Sequence, residues 1–343
     1  MMHMSTPGKL VTLFVGEAKK NWSGVPVEGI REARSAPNYV RATPLPSLVE
    51  VVVQKREGKE IRFRVKRYSP NLIVVEGAVD VEDIFDASVL ALKRSLLAAS
   101  KGLVEKYDTY KDFEEEYGIF CVSRYTGSPE EFFKQMPHIV AFLKSEREPL
   151  DEKEVAQTLE ASIKYGKDDL LVVDWDGAFI FNQMGQFDET IGLLELGNLS
   201  LLRYRILDFE LDRRLNKLTR LLHAQEKKLF TLFRGSGIKD VVRKIIHARS
   251  RSIIEFESME RNIKLIGDWY SAKAFGVIEK KFHLDEWRRN IKEKFETLGD
   301  VYTMAAENFS LSFNKRMDII LIFGWLILLI GWSILLVFDV MTR

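Results

Sequence analysis

Arg234-Gly235-Ser236-Gly237 could cradle a phosphate on its backbone amides, with Ile238 opening the next helix. A phosphate-binding loop of the Gly-Lys-Ser/Thr type continues differently, and Ile238-Lys239-Asp240 follows here, so a loop between helices is expected. The histidines are His3, His138, His223, His247 and His283. None stands three or four residues from another, and Cys121 is the one cysteine, so neither a metal site nor a cofactor is expected. Arg62, Arg64 and Lys66 alternate along a strand and could meet phosphates of nucleic acid or of lipid headgroups. The expectation is the wet face of an edge strand. Too few aromatics interleave for base stacking.

Asp174 and Asp176 close an apolar strand, Val172-Val173-Asp174-Trp175-Asp176-Gly177. The spacing resembles that of haloacid-dehalogenase-type phosphotransferases. The resemblance implies one Asp as nucleophile toward phosphorus and the other as acid/base beside Mg²⁺. That pattern continues with Thr or Ser, whereas Ala178 follows here and the apolar run resumes at once. A hairpin turn with two solvated carboxylates accounts for this, and no catalytic residue is expected.

All nine prolines lie at or before Pro149. Proline costs a helix interior about 3 kcal/mol, so the second half of the chain can hold long helices. The first half reads as alternating strands and helices. Residues 49–55 and 60–68 form a hairpin about a turn-like stretch at 56–59, with Ile61, Phe63 and Val65 on one face. Residues 71–77 and 118–124 are strands. Residues 81–106 form an amphipathic helix, with Ile84 and Phe85 on its apolar face. Ser128 caps a helix that starts at Pro129 and kinks at Pro137. Residues 151–162 form a short helix and 169–182 a hairpin. The fold class is α+β, with a mixed or antiparallel sheet followed by long antiparallel helices in a coiled-coil-like stalk and one transmembrane helix.

From Asp188 the pattern is helical. Leu199, Leu202, Ile206, Phe209 and Leu222 suit one face of a helix running to about Phe233. A second helix runs from Ile238 to near Phe282, with Gly267 and Gly276 as candidate breaks, and a third starts near Leu284. Leu284, Ile291, Leu298 and Ala305 recur every seven residues, as do Phe295, Tyr302 and Phe309, the repeat of a supercoiled seam. The run Ile319–Phe338 holds no charge and no proline. Twenty residues rise roughly 30 Å, the hydrocarbon thickness of a bilayer. Gly324 and Gly331, like Trp325 and Trp332, stand seven apart and would let a second helix approach. The expected organisation is a cytoplasmic domain at 1–187, a stalk at 188–318 broken at 234–237, an anchor at 319–338 and a short tail at 339–343.

Net charge is +1, which does not favour wholesale binding of nucleic acid. A single cysteine suits a reducing compartment. Residues 9–15, Lys-Leu-Val-Thr-Leu-Phe-Val, are too few for the core of a signal peptide. Lys315 and Arg316 before the apolar run, against Arg343 after it, place the N-terminal bulk in the cytoplasm. The chain thus reads as tail-anchored and single-pass.

Two resemblances attach to these residues. The layout, and the stretch 298–322 leading into the membrane, are similar to CorA-type magnesium channels, which implies an oligomeric ion channel. That family carries a Gly-Met-Asn motif and a second membrane helix, and neither follows Phe338 here. The order of an α/β part, charged helices and one membrane helix, clearest over about 268–343, resembles the Rmd/YagE-type family, a domain of unknown function. This implies membrane scaffolding and carries over no functional residue. The leading expectation is a non-enzymatic scaffold or interaction module that self-associates through stalk and anchor, with the bilayer and a second copy as partners, no nucleic acid, and any protein partner unknown. An ion channel and a membrane-tethered phosphotransferase are the alternatives.

Overall fold

The computed structural model describes residues 6–20, 25–26, 46–146, 148, 150–226, 256–257 and 269–342. Among them nine strands form one sheet: β1 (Gly8–Ala18), β2 (Val25–Pro26), β3 (Ser47–Arg56), β4 (Lys59–Tyr68), β5 (Leu72–Val81), β6 (Thr109–Val122), β7 (Ser162–Ile163), β8 (Asp169–Val173) and β9 (Gly177–Asn182). Their order across the sheet is β2-β3-β4-β5-β1-β6-β9-β8-β7. All neighbours are antiparallel except β6 and β9, so the sheet is mixed.

The β3–β4 hairpin forms where alternation places it. Its turn, Glu57-Gly58, has φ of 48° and 76°, the two left-handed positions of a type I′ turn. β1 is the sheet's central strand and is buried on both faces. Strands covered on both sides lose the alternating signature and read as a continuous apolar run.

One face carries Leu10, Phe14, Phe63, Val75, Phe120 and Phe179, packed under helices α1 (Ser88–Val104), α2 (Met136–Leu143) and α3 (Glu152–Leu159). The helix expected over 81–106 starts at Ser88. Ile84 and Phe85 precede it in a turn: the Ile84 N–H donates to the Thr6 carbonyl at 2.9 Å, and Phe85 stacks on Phe179. Residues 129–135 form a 3₁₀ turn leading into α2, where a single kinked helix was expected. Asp151 caps α3 by accepting from the Lys153 N–H at 2.9 Å.

The opposite face carries Leu13, Val74, Tyr117, Ile119 and Ile180. Against it lie the first part of α4 (Asp188–Glu226) and α5 (Trp269–Lys281), so helices cover the sheet on both sides. α6 runs without interruption from Leu284 to Thr342.

The chain divides into two compact units, residues 1–208 with 251–290, and residues 209–250 with 291–343. The first holds the sheet. In the second, Leu211, Ile291 and Leu298 are fully buried, and Lys294 pairs with Asp212 at 2.7 Å. Phe209, placed by the sequence on the apolar face of its helix, is half exposed. Gly276 lies inside α5 and does not break it.

Candidate functional site

The β8–β9 turn is Asp174-Trp175-Asp176, and its two carboxylates have different fates. Asp174 is 2% exposed, contrary to the expectation of two solvated groups, while Asp176 is open to water. Asp174 Oδ1 accepts from the Trp175 N–H at 2.8 Å and lies 2.8 Å from Lys281 Nζ at the end of α5. Its Oδ2 lies 3.0 Å from Lys144 Nζ, which also pairs with Glu154 at 2.9 Å. Burial pushes the Asp174 pKa up, but the Lys281 and Lys144 ammonium groups and the Trp175 N–H outweigh it and hold the carboxyl below its ordinary value.

Aromatic packing reinforces this clamp. The buried Tyr117 hydroxyl donates to the Asp174 carbonyl at 2.9 Å, and its ring meets Phe282 edge-on at 5.5 Å. Phe282 follows Lys281, is itself buried, and also faces Trp175 at 6.1 Å. Gly197 of α4 makes room for it: a Cβ there would stand 2.5 Å from Ile278 and 3.1 Å from the Phe282 ring. His283, with φ of 52°, turns the chain, and its carbonyl accepts from the Glu286 and Trp287 N–H groups that open α6. Arg288 then ties α6 back to Glu279 of α5 at 2.6 Å.

Lys93 of α1 meets the same turn from the other face. It is 4% exposed, and its ammonium donates to the Asp176 carbonyl at 3.3 Å and to Ser145 Oγ at 3.0 Å. Its stem lies over Gly118, where a Cβ would come within 2.5 Å of Lys93 Cε. Burial lowers its pKa.

A phosphoryl nucleophile needs an oxygen free to reach phosphorus, and both Asp174 oxygens face ammonium groups instead. What this arrangement can do is join four elements (β8, β9, α2 and α5) at one carboxylate. Asp174→Asn keeps the shape but weakens two charge-assisted contacts, each worth about 1.5–3 kcal/mol when well formed. With Lys144 and Lys281 partly solvated, a net loss of about 2 kcal/mol is expected in chemical denaturation. Because the folded-state pKa lies below the unfolded one, the contribution is complete above pH ~4 and fades as pH falls through the folded value. The wild-type and Asp174→Asn stabilities should therefore converge in acid.

A second buried charge cluster lies between the sheet and α4. Lys66 Nζ donates to Glu76 Oε2 at 2.6 Å and to Glu195 Oε2 at 2.8 Å; the Tyr68 hydroxyl donates to Glu195 Oε1 at 2.8 Å; Arg64 pairs with Glu76 at 3.2 Å. Burial would lower the Lys66 pKa, yet Glu195 and Glu76 reverse this and hold it at about 12. Burial would raise that of Glu76, and Lys66 and Arg64 hold it below its ordinary value. The basic stripe is therefore no wet face of an edge strand. β4 lies between β3 and β5, and the stripe runs from exposed Arg62 to half-buried Lys66 because two acids need a counter-charge.

Of the seam residues named from sequence, Leu284, Ile291, Phe295 and Leu298 are buried. The side chains of Tyr302, Phe309, Lys315 and Arg316, and the loop at 234–237, lie outside the described residues. Gly324, Trp325, Gly331 and Trp332 are exposed on α6. Met317–Leu335 is long and apolar enough to cross a bilayer, and none of it is buried. Among the described residues no group of His, Cys, Asp and Glu could hold a metal ion. Sequence reasoning missed Lys144 and Lys281 as partners of Asp174, for which nothing local signals. Glu195 had a signal: it is a lone acid within the apolar run Ile191–Leu202.

Fold and clusters together define a protein with a mixed sheet covered by helices on both faces and a bilayer-length apolar helix near the C-terminus. Residues 15–188 match the family described as "Uncharacterized protein MJ0711, N-terminal domain", and the chain belongs to that family. It is similar to uncharacterized protein MJ0711 of Methanocaldococcus jannaschii, with 29% identity over 304 residues, 88% of this chain and 90% of the relative. No solved structure matches. The resemblances to the Rmd/YagE-type family and to CorA-type channels are thereby corrected. They rested on the layout and order of elements and on the approach to the apolar helix, with no diagnostic motif.

Proposed function

We propose that this chain is a single-span membrane protein, held by its C-terminal helix, whose sheet domain serves as a scaffold or interaction module on the cytoplasmic side. The observation that carries the reading is that none of Met317–Leu335 is buried, while the large apolar side chains of the other described residues are mostly buried. Nineteen helical residues rise roughly 28 Å, close to a hydrocarbon core. Lys315 and Arg316 favour the cytoplasmic orientation. Gly324 and Gly331, exposed on one helix face, support self-association through the anchor, whereas Leu284, Ile291 and Leu298 of the stalk are already buried within the chain. No reaction is proposed. A phosphotransferase reading has less support, because Asp174 is occupied by two lysines.

The test is the mass of the full chain in mild detergent, together with protease protection in sealed vesicles. A defined oligomer with the sheet domain cleaved only from the cytoplasmic side is expected. A monomer, or a protected sheet domain, would overturn the corresponding half of the proposal.

A further inference from the structure

Among the described residues the outer edge of β3 is open from Val49 to Arg56. β2 pairs only with Ser47 and Leu48, and among the described residues no strand pairs with the rest of that edge. The two-residue turn at Glu57-Gly58 makes Arg56 and Lys59 the hydrogen-bonded pair that closes the hairpin. Alternation then turns the N–H and C=O groups of Val51, Val53 and Lys55 outward. The valine side chains are also in water, Val51 49% and Val53 53% exposed, although the register sets them opposite Arg64 and Arg62 on an ordered strand. An open edge flanked by exposed β-branched residues is a template for another strand.

We propose that this edge is an interface between two copies of the chain, β3 pairing antiparallel with β3 of a second copy about a two-fold axis at Val53. That register sets Val53 against Val53, Val51 against Lys55, and Glu50 against Arg56 twice over. Four valines become neighbours on one face, and the other face gains two ion pairs across the interface. Glu50 already accepts from the Tyr107 hydroxyl through Oε1, leaving Oε2 for Arg56 of the second copy, whose Nε is held by Gln54. A centre at Val51 would run the second copy into Ser47 and Leu48, where β2 sits, and a centre at Lys55 would oppose lysine to lysine. The proposal rests on the self-association argued above: one strand pairing is well short of the roughly 1,200 Å² of a stable interface and needs the effective concentration of copies held in one bilayer.

Cys121 is buried, so the native chain offers no competing exposed thiol. Val53→Cys in the full chain, oxidised mildly in membranes, is expected to give a disulfide-linked dimer, since opposed residues on paired strands lie about 5.5 Å apart. Lys55→Cys should not cross-link, because its two copies would stand four positions apart, roughly 13 Å. Equal cross-linking of both variants would overturn the register. A self-associated chain whose Val53→Cys neither cross-links nor reacts with maleimide has its edge covered from within the chain, which overturns this interface and leaves the association through the helices standing. A Val53→Cys chain that reacts with maleimide yet stays uncrosslinked overturns the interface as well, and a native chain that is monomeric overturns both.

Discussion

Removal of residues 319–343 is expected to move the chain from the membrane fraction to the soluble one, folded and with its sheet domain intact. Fifteen of the twenty residues in Ile319–Phe338 are Leu, Ile, Phe or Val. Each adds about −0.3 to −0.6 kcal/mol of insertion free energy at the helix centre, roughly −5 to −9 kcal/mol together. Little elsewhere in the described chain matches this, since its other large apolar side chains are mostly buried. A graded control is Ile327→Arg with Leu328→Arg. Two central arginines cost about 5–7 kcal/mol, which should leave the chain divided between the fractions. High-speed sedimentation after an alkaline wash reads both variants. A truncated chain that still pellets with membranes refutes the span.

The second large effect is expected at Glu195. Glu195→Ala removes one of two acids from Lys66 and leaves the Tyr68 hydroxyl without its acceptor under α4. Breaking a buried charge pair on one side costs about 3–5 kcal/mol. For a domain of this size that lowers the melting temperature by about 8–15 °C. Lys66→Met with Glu195→Leu should recover much of the loss, because Glu76 keeps Arg64 and apolar groups fill the space. The pH dependence follows from the shifts. The Glu76 contribution is complete above pH ~4.5 and is lost as pH falls through its lowered folded value. The Lys66 contribution is complete below pH ~10 and is lost as pH rises through about 12. Thermal melts across pH, with the double variant as reference, check both signs.

The parts of the fold legible in the sequence were those with local physics behind them. Strict alternation in Ile61, Phe63 and Val65 beside a two-residue turn specified the β3–β4 hairpin. Asp176-Gly177 marked the bend between β8 and β9, and the seven-residue repeat placed the start of α6 at Leu284. β1 was read only as an apolar stretch, because a strand covered on both faces lacks alternation. The parallel pairing of β6 with β9 has no local signature, since the chain between them builds other elements. The Asp174 clamp was half visible. Its carboxylate stood out by spacing, but the lysines that claim it arrive from a helix end and from a segment far along the chain.

The place of β1 bears on how the molecule is made. The first of the described strands to be synthesised finishes in the middle, and both its neighbours, β5 and β6, are synthesised after it. One edge of this apolar segment stays open until β5 is complete at residue 81, and the other until β6 is complete at residue 122, which leaves it open to wrong partners. Completion of this sheet thus waits on strands made later in the chain more than on the speed of any single hairpin.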